Sequence, residues 1–537
     1  MSGAGGGDGG RARKLTSRQW NGRDVPCVAP AEGHKSCHFR RTDRSTVNTG
    51  TTTAQSADDS TEEKAPSPAG SPSSSASLSL DVLVVGFGKA GKTIAMKRAK
   101  AGDRVAIVEK SPSMYGGTCI NIACVPTKTL LVSAERHAHS LDDDHDSAFD
   151  GARDHRDGFI AKLNSANEDM ARDAGVMIID GRARFTGPRT VEVTGGDDVL
   201  FISAETVVIN VGSVPVMPPI DGIDGPRVTD STGIQALAER PAALTIVGGG
   251  PIGLEFATMF ADFGTTVTVL DGADEFLGRY DRDVAATVHE HLASGGIQII
   301  SGAKATGFAD DGGAEGSQPV TVTYETSGGE ESTVRADRVL VAVGRRPATD
   351  DLGLDAAGIE INDRGAIPVD EHLRTGIDGV YAVGDVNGGP QFTYVSYDDH
   401  RVVMSDRWGD GSRTAEDRVI PTTTFIDPPL STVGLGEDAA REEVEGRGHE
   451  LEVMVADVAD LAIVPRPKIL GNPAGMVKFL VDRDADRIVG ASLFCVDSQE
   501  LINTVAVAIA RDVPASGLGS GIYTHPSTSE VFNAMLE

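Results

Sequence analysis

The chain has 537 residues, 39% of them hydrophobic, which is enough for two or three packed domains and too much for one small core. Its 79 acidic against 49 basic residues give a formal net charge of -30, which argues against electrostatic binding to a nucleic-acid backbone. Five cysteines in so long a chain exclude a disulfide scaffold, and no apolar run reaches the roughly 18 residues of a membrane span.

The acidity is dispersed, as in Asp142-Asp143-Asp144 and Asp281-Arg282-Asp283, and lysines are few. This resembles the surface of a halophilic protein, where high ionic strength screens the self-repulsion. Residues 1–79 are rich in Gly, Ser, Thr and Pro, lack apolar periodicity and read as a disordered leader. The arginines near the start precede no apolar segment, so neither a secretory nor a twin-arginine signal is expected, and the protein reads as cytoplasmic. Cys27, His34, Cys37 and His38 match no usual zinc spacing, and no metal site is expected.

From Asp81 the texture changes. The run Val82-Leu83-Val84-Val85 ends on Gly86-Phe87-Gly88-Lys89-Ala90-Gly91, a helical pattern follows to Lys100, and a second apolar run ends at Glu109. The layout returns with Leu244-Thr245-Ile246-Val247, the turn Gly248-Gly249-Gly250-Pro251-Ile252-Gly253, a helix to Gly264 and a strand ending at Asp271. In both copies the acid follows the first glycine by 23 residues. In each turn the first glycine permits the bend, the second lets the backbone approach a pyrophosphate, and the third lets helix and strand pack closely. The terminal acid can accept hydrogen bonds from ribose hydroxyls. The expected architecture is α/β with two Rossmann-like dinucleotide-binding domains, one for a resident cofactor and one for a nicotinamide that comes and goes. Asp271 would repel a 2'-phosphate and Gly272 offers no charge to hold one, so NADH is favoured; Arg279 keeps NADPH open.

Between the two copies lies Gly116-Gly117-Thr118-Cys119-Ile120-Asn121-Ile122-Ala123-Cys124-Val125-Pro126-Thr127-Lys128. Two cysteines with four residues between them can be bridged if the backbone is held at a helix start or an irregular first turn. A helix N-terminus and Lys128 would both favour a thiolate. The spacing alone also allows two unrelated buried cysteines.

These residues resemble the flavoprotein disulfide reductases, the family of glutathione reductase, dihydrolipoyl dehydrogenase and mercuric reductase. Two further segments carry the likeness: Thr375-Gly376-Ile377-Asp378-Gly379-Val380-Tyr381-Ala382-Val383-Gly384-Asp385 looks like the second FAD segment, and Val343-Gly344-Arg345-Arg346-Pro347 like the return from the nicotinamide domain. The resemblance covers the chain from about Asp81 onward. It implies an NAD(P)H-dependent FAD enzyme with FAD-binding segments at 80–225 and 346–415, an NAD(P)-binding domain at 226–345, and an α+β dimerisation domain at 416–537. Gly86, Gly88, Gly91, Glu109, Thr118, Lys128, Gly212 and Asp385 would hold FAD, and Gly248, Gly250, Gly253, Asp271 and Gly344 the nicotinamide nucleotide. Cys119 would be the interchange thiol that attacks substrate, and Cys124 the thiolate against the flavin. Lys128 would pair with Glu255 on the nicotinamide-domain helix. His525 and Glu530, in Tyr523-Thr524-His525-Pro526-Ser527-Thr528-Ser529-Glu530, look like the acid-base pair that reaches the site from the other subunit of a homodimer. The buried reading of Cys495 is packing.

The expected substrate is a small disulfide or oxidant. Mercuric reductases generally carry a C-terminal cysteine pair and a tyrosine where His525 stands, and this sequence has neither. Dihydrolipoyl dehydrogenase fits His525, Glu530 and Asp271. The segments Gly88-Lys89-Ala90-Gly91-Lys92-Thr93, Asp230-Ser231-Thr232-Gly233 and Asp385-Val386-Asn387-Gly388-Gly389-Pro390-Gln391-Phe392-Thr393-Tyr394 look closest to the hypothiocyanous acid reductase group, which is linked to defence against reactive oxidants. A flavin oxidase or electron carrier whose cysteines do not turn over is the alternative of another class. It would have no need of His525 and Glu530.

Overall fold

The computed structural model describes residues 76–141, 143–195, 198–310, 319–416 and 418–537. Cys27, His34, Cys37, His38 and most of the segment read as a leader lie outside the described residues.

Strand Ala76–Val85 sits at the centre of a seven-stranded sheet, between Val105–Glu109 and Asp198–Ile209, both parallel to it. Val105–Glu109 is buried at every position, as expected of a strand covered on both faces. Alternation along the central strand sends Leu83 and Val85 into one apolar cluster, and Val82 and Val84 into another with Ile94 of helix Lys89–Lys100. The strand starts at Ala76, inside the segment expected to be a leader. The reason is the length of Asp198–Ile209, whose residues Leu200 to Ser203 offer Ala76 to Ser79 a parallel ladder. Strand Val380–Ala382 adds to the far side of Asp198–Ile209 and brings the chain back beside the first glycine turn.

The second glycine turn belongs to a five-stranded parallel sheet in the order Gln298–Ser301, Thr266–Asp271, Ala243–Val247, Arg338–Val341, Val228–Thr229. Helix Pro251–Asp262 follows that turn and is buried along much of its length, from Gly253 to Phe260. Short strands Ser213–Pro215 and Arg345–Pro347 pair antiparallel where the chain enters and leaves this region. The C-terminal part is an antiparallel sheet of five strands, in the order Thr422–Thr424, Leu430–Gly434, Arg487–Phe494, Met476–Asp482, Leu451–Asp457, packed against helix Ser498–Ala510. Cys495 is fully buried there, in keeping with a packing role.

One apolar cluster ties these parts together at the cysteine segment. It joins Leu130 and Leu131 of helix Cys124–Ala138, Phe256 and Phe260 of helix Pro251–Asp262, and Leu430 and Phe494 of the C-terminal sheet. The helix that begins at Cys124 is therefore fixed by contacts from three parts of the fold.

Candidate active site

Cys119 lies in the short helix Thr118–Asn121, and Cys124 is the first residue of helix Cys124–Ala138. Gly116 and Gly117 lead into this segment with φ of 93° and 82°, a backbone region that side chains rarely adopt. A Cβ on Gly117 would lie 2.9 Å from the Gly88 Cα, so the cysteine segment is pressed directly against the first glycine turn. Both cysteines are free thiols, and each shifts the acidity of the other. Cys119 is half-buried and Cys124 exposed.

The two sulfurs are unequal. The hydrogen bond from Cys119, a second from Thr393 and the charge of Lys128 hold the Cys124 thiol down to about 6, outweighing partial desolvation and the Glu255 carboxylate. Cys119, as the donor in that pair, is pushed well above the ordinary thiol range, and burial adds to the rise. In a coupled pair of this kind one proton is shared, and the negative charge resides chiefly on Cys124.

Around Cys124 the groups converge from distant parts of the chain. Thr393 begins helix Thr393–Trp408 and places its Oγ1 3.5 Å from the Cys124 Sγ. Lys128, one helical turn after Cys124, donates from Nζ to Glu255 Oε2 at 2.6 Å. The other oxygen, Glu255 Oε1, accepts the Phe425 backbone N–H at 3.1 Å, and the Lys128 ammonium lies 4.7 Å from the centre of the Phe425 ring. Glu255 is thus satisfied on both oxygens while buried, as such a carboxylate requires.

The glycine turns differ in what presses on them. At the first, Gly91 donates its N–H to Asn210 Oδ1 at 2.8 Å, and a Cβ on Gly88 would strike the same oxygen. Asn210 Nδ2 also donates to the Val383 carbonyl at 2.7 Å, so one amide ties together two returns of the chain. A Cβ on Gly86 would lie 2.5 Å from the Asn210 carbonyl oxygen, and one on Gly91 would meet Val84. Glu109 accepts the Phe87 N–H at 3.0 Å and the Ser111 N–H at 3.2 Å, and its burial raises its carboxyl above the usual range. At the second turn a Cβ on Gly253 would lie 2.0 Å from the Gly248 carbonyl oxygen, the close packing expected of the third glycine. Asp271 is held against Gly249, where a Cβ would lie 2.7 Å from its carboxyl carbon. Gly250 and Gly344 face open space.

Asp385 accepts the Ser213 hydroxyl at 2.6 Å, and Arg345 reaches the same serine, donating to its Oγ at 2.9 Å and its carbonyl at 2.7 Å. Gly212 precedes this serine, and Thr118 Oγ1 is its near neighbour. Asp385, Gly212 and Thr118, far apart in sequence, therefore border one region. His525 Nδ1 lies 2.9 Å from Glu530 Oε1, while Glu530 Oε2 accepts the Ser527 N–H at 2.9 Å. These bonds hold the Glu530 carboxyl below the usual range, the Ser527 N–H contributing most. The His525 side chain is 69% exposed, and among the described residues no contact joins it to either cysteine within one chain.

Sequence reading does not single out Asn210, Ser213, Thr393 or Phe425. Thr393 stands inside a segment quoted above for its family likeness, which is the signal that could have found it. Asn210 is one polar residue after a strand, and only the contact with Gly91 marks it.

Two helices beginning at glycines, Lys89–Lys100 and Pro251–Asp262, have neither a side-chain cap nor an acid in the first turn. Asn210 takes the Gly91 N–H of the first, and the positive dipole at both helix starts suits an anion, which fits the pyrophosphate of a dinucleotide. The fold and this geometry define a dithiol oxidoreductase with two dinucleotide sites. The pyridine nucleotide-disulphide oxidoreductase family matches residues 80–399, and its dimerisation domain residues 420–536. The chain belongs to that family, whose members use FAD and a pyridine nucleotide.

The probable pyridine nucleotide-disulfide oxidoreductase RclA of Escherichia coli is 42% identical over 454 residues, which cover 84% of this chain and 97% of the relative. The dihydrolipoyl dehydrogenase of Halobacterium salinarum is 33% identical over 466 residues, 84% of this chain and 95% of that protein. The solved structure of the HOCl-induced flavoprotein disulfide reductase RclA from Escherichia coli has a TM-score of 0.77 at 41% identity, covering 85% of this chain and 99% of that one. Its Cu(II) complex gives 0.78 at 40% identity, over 86% and 99%. Among the described residues no helix is long and apolar enough to cross a membrane.

Proposed function

We propose that this chain reduces a small disulfide or thiol-reactive oxidant at Cys119, using NADH, as part of defence against oxidative stress. The observation that carries the reading is the free Cys119/Cys124 pair with Thr393 Oγ1 3.5 Å from the Cys124 sulfur and the Lys128–Glu255 pair one helical turn away.

The first glycine turn (Gly86, Gly88, Gly91), with Glu109, Thr118, Lys128, Gly212 and Asp385, would hold FAD, drawing on residues 80–225 and 346–415. The second turn (Gly248, Gly250, Gly253), with Asp271 and Gly344, would hold the nicotinamide nucleotide within 226–345. When bound, FAD supplies the route by which NAD(P)H reduces the cysteine pair. Asp271 favours NADH, because its carboxylate beside Gly249 would repel a 2'-phosphate; the exposed Arg279 is the feature that favours NADPH.

In the reduced pair Cys124 carries the negative charge, held by Thr393 and Lys128, and Cys119 carries the proton. The partner subunit's His525, oriented by the partner subunit's Glu530, would take that proton, as its exposure within one chain allows. The Cys119 thiolate attacks one sulfur of the substrate disulfide. A mixed disulfide forms, and the leaving thiolate takes the proton back from His525. The Cys124 thiolate then attacks the Cys119 sulfur, releasing the second half of the substrate as a thiolate that takes its proton from solvent, and closing the Cys119–Cys124 disulfide. Residues 416–537 would form the dimer that this division of labour needs. The dispersed acid on the chain suits a salt-rich cytoplasm.

A relative of known name, RclA, is described as HOCl-induced, which supports an oxidant as substrate. Dihydrolipoyl dehydrogenase is the second reading, favoured by the His525–Glu530 pair and Asp271. The test compares kcat/KM for hypothiocyanous acid, lipoamide, glutathione disulfide and mercuric ion. The proposal expects the oxidant to lead by at least tenfold. A lead for lipoamide transfers the chain to the second reading, and turnover that survives Cys119→Ser sinks both.

A further inference from the structure

Lys92 is a physical anomaly. It stands on the first turns of helix Lys89–Lys100, only 6% exposed, among buried neighbours that are apolar or glycine. Its Nζ donates to Asn167 Oδ1, a neutral acceptor, and among the described residues it makes no ion pair. An ammonium taken out of water without a counter-ion is costly, so either the amine loses its proton or an anion is supplied. Burial does weaken the amine, to about 8, and the charge of Lys89 adds to that effect, yet at neutral pH the cation persists.

The surroundings point to the anion. Asn167 orients its amide by donating Nδ2 to the Leu163 carbonyl, which leaves Oδ1 for Lys92. The same amide packs on Gly116, where a Cβ would lie 3.0 Å from its carboxamide carbon. Gly116 is three residues before Cys119. The adjacent Asn121 locks the segment by donating to the Tyr115 and Gly117 carbonyls at 2.9 Å each, and Asn164 donates to Asn121 Oδ1 at 3.1 Å. Lys92 therefore lies behind the cysteine segment, within electrostatic reach of Cys119.

The other charged groups near the pair divide by sulfur. Lys128 and Glu255 act on Cys124, whose own charge reaches Arg345 and the phenol of Tyr394, whereas Lys89 acts on Cys119 from the same helix as Lys92. Each sulfur thus has its own cation, Lys128 for one and the Lys92 side for the other.

We propose that Lys92 is a positioning residue that serves as counter-ion when Cys119 gives up its proton and becomes a thiolate, the form in which Cys119 attacks substrate. The proposal rests on the assignment of Cys119 as the interchange thiol. Lys92 touches neither substrate nor sulfur, and it acts by lowering the cost of a thiolate at one position of the pair.

The test uses the holoenzyme reduced anaerobically with NADH and alkylated with iodoacetamide from pH 5.5 to 9.5, with peptide mapping to identify the modified cysteine. Lys92→Met should slow alkylation of Cys119 about tenfold at pH 7 and move the profile up by about one pH unit, the size expected for loss of one nearby charge. Lys92→Arg should restore it. Asn167→Asp should shift the profile in the same direction with Lys92 in place, because the new carboxylate competes for the ammonium; this variant decides the matter if Lys92→Met does not fold. The long-wavelength thiolate-to-flavin absorption, which reports Cys124, should persist in all of them. A wild-type profile in Lys92→Met or in Asn167→Asp overturns the proposal. So does a Lys92→Met enzyme that loses FAD more readily while Cys119 keeps its wild-type profile, since Lys92 would then serve the pyrophosphate. If iodoacetamide modifies Cys124 first in the wild-type enzyme, the assignment of the interchange thiol fails instead, whatever Lys92 does.

Discussion

Replacing Thr393 by valine removes one hydroxyl and keeps the shape of the side chain, so its effect isolates what that hydroxyl does for the cysteine pair, read at Cys124. The bond to Cys124 spans 3.5 Å from Oγ1 to Sγ, toward the longer end of the ordinary range for sulfur. Hydrogen bonds to charged groups contribute about 1.5–3 kcal/mol, and this length puts Thr393 at or just below the low end. About 1.4 kcal/mol corresponds to one pKa unit. The Cys124 thiol sits at about 6, below the ordinary thiol range, so its thiolate is present above that pH and is lost as pH falls through it. In Thr393→Val the loss should occur about one unit higher, and Thr393→Ser should behave as wild type. The assay is the absorbance of the thiolate-flavin band in the two-electron-reduced holoenzyme, titrated from pH 9 to 5. A valine variant that retains FAD and whose titration superimposes on the wild type would refute the role given to this hydroxyl.

Glu255→Gln should shift the same titration the opposite way, down by about one unit or less, because the carboxylate opposes the Cys124 thiolate; the band should then survive to lower pH. Asn210→Ala leaves the Gly91 N–H and the Val383 carbonyl without their buried partner, and it should cost about 2–4 kcal/mol in urea unfolding of the holoenzyme. Asp271→Ser should raise kcat/KM with NADPH relative to NADH by about tenfold, since it removes one like-charge contact with a 2'-phosphate; an unchanged ratio measured in steady state would transfer nucleotide selection to other residues such as Arg279.

The two glycine turns are legible in the sequence because their chemistry is local: in each copy a strand leads into the turn, and the acid follows the first glycine by 23 residues. The cysteine segment is legible for the same reason. What tunes it is not, since Thr393 meets Cys124 across 269 residues, Phe425 meets Glu255 across 170, and Asn210 meets Gly91 across 119. No periodicity or spacing encodes such a meeting. The Lys128–Glu255 pair is equally remote, 127 residues apart, and was reachable only through family likeness. The start of the first strand at Ala76 was hidden differently: Ala76-Ser77-Leu78-Ser79 reads as the tail of a Ser-rich segment, and its strand state comes from the ladder offered by Leu200 to Ser203. Lys92 was visible in the glycine motif, but its meaning depends on burial, which the sequence does not show.

The role of Cys119 and Cys124 as the working group is tested most directly by anaerobic titration of the FAD-loaded protein with NADH. A redox-active pair takes up two electrons before the flavin bleaches, and long-wavelength absorption from the Cys124 thiolate appears as it does so; Cys124→Ser abolishes that band. Flavin bleaching with the first equivalent of NADH, with no such band and with the same course in Cys124→Ser, would contradict it.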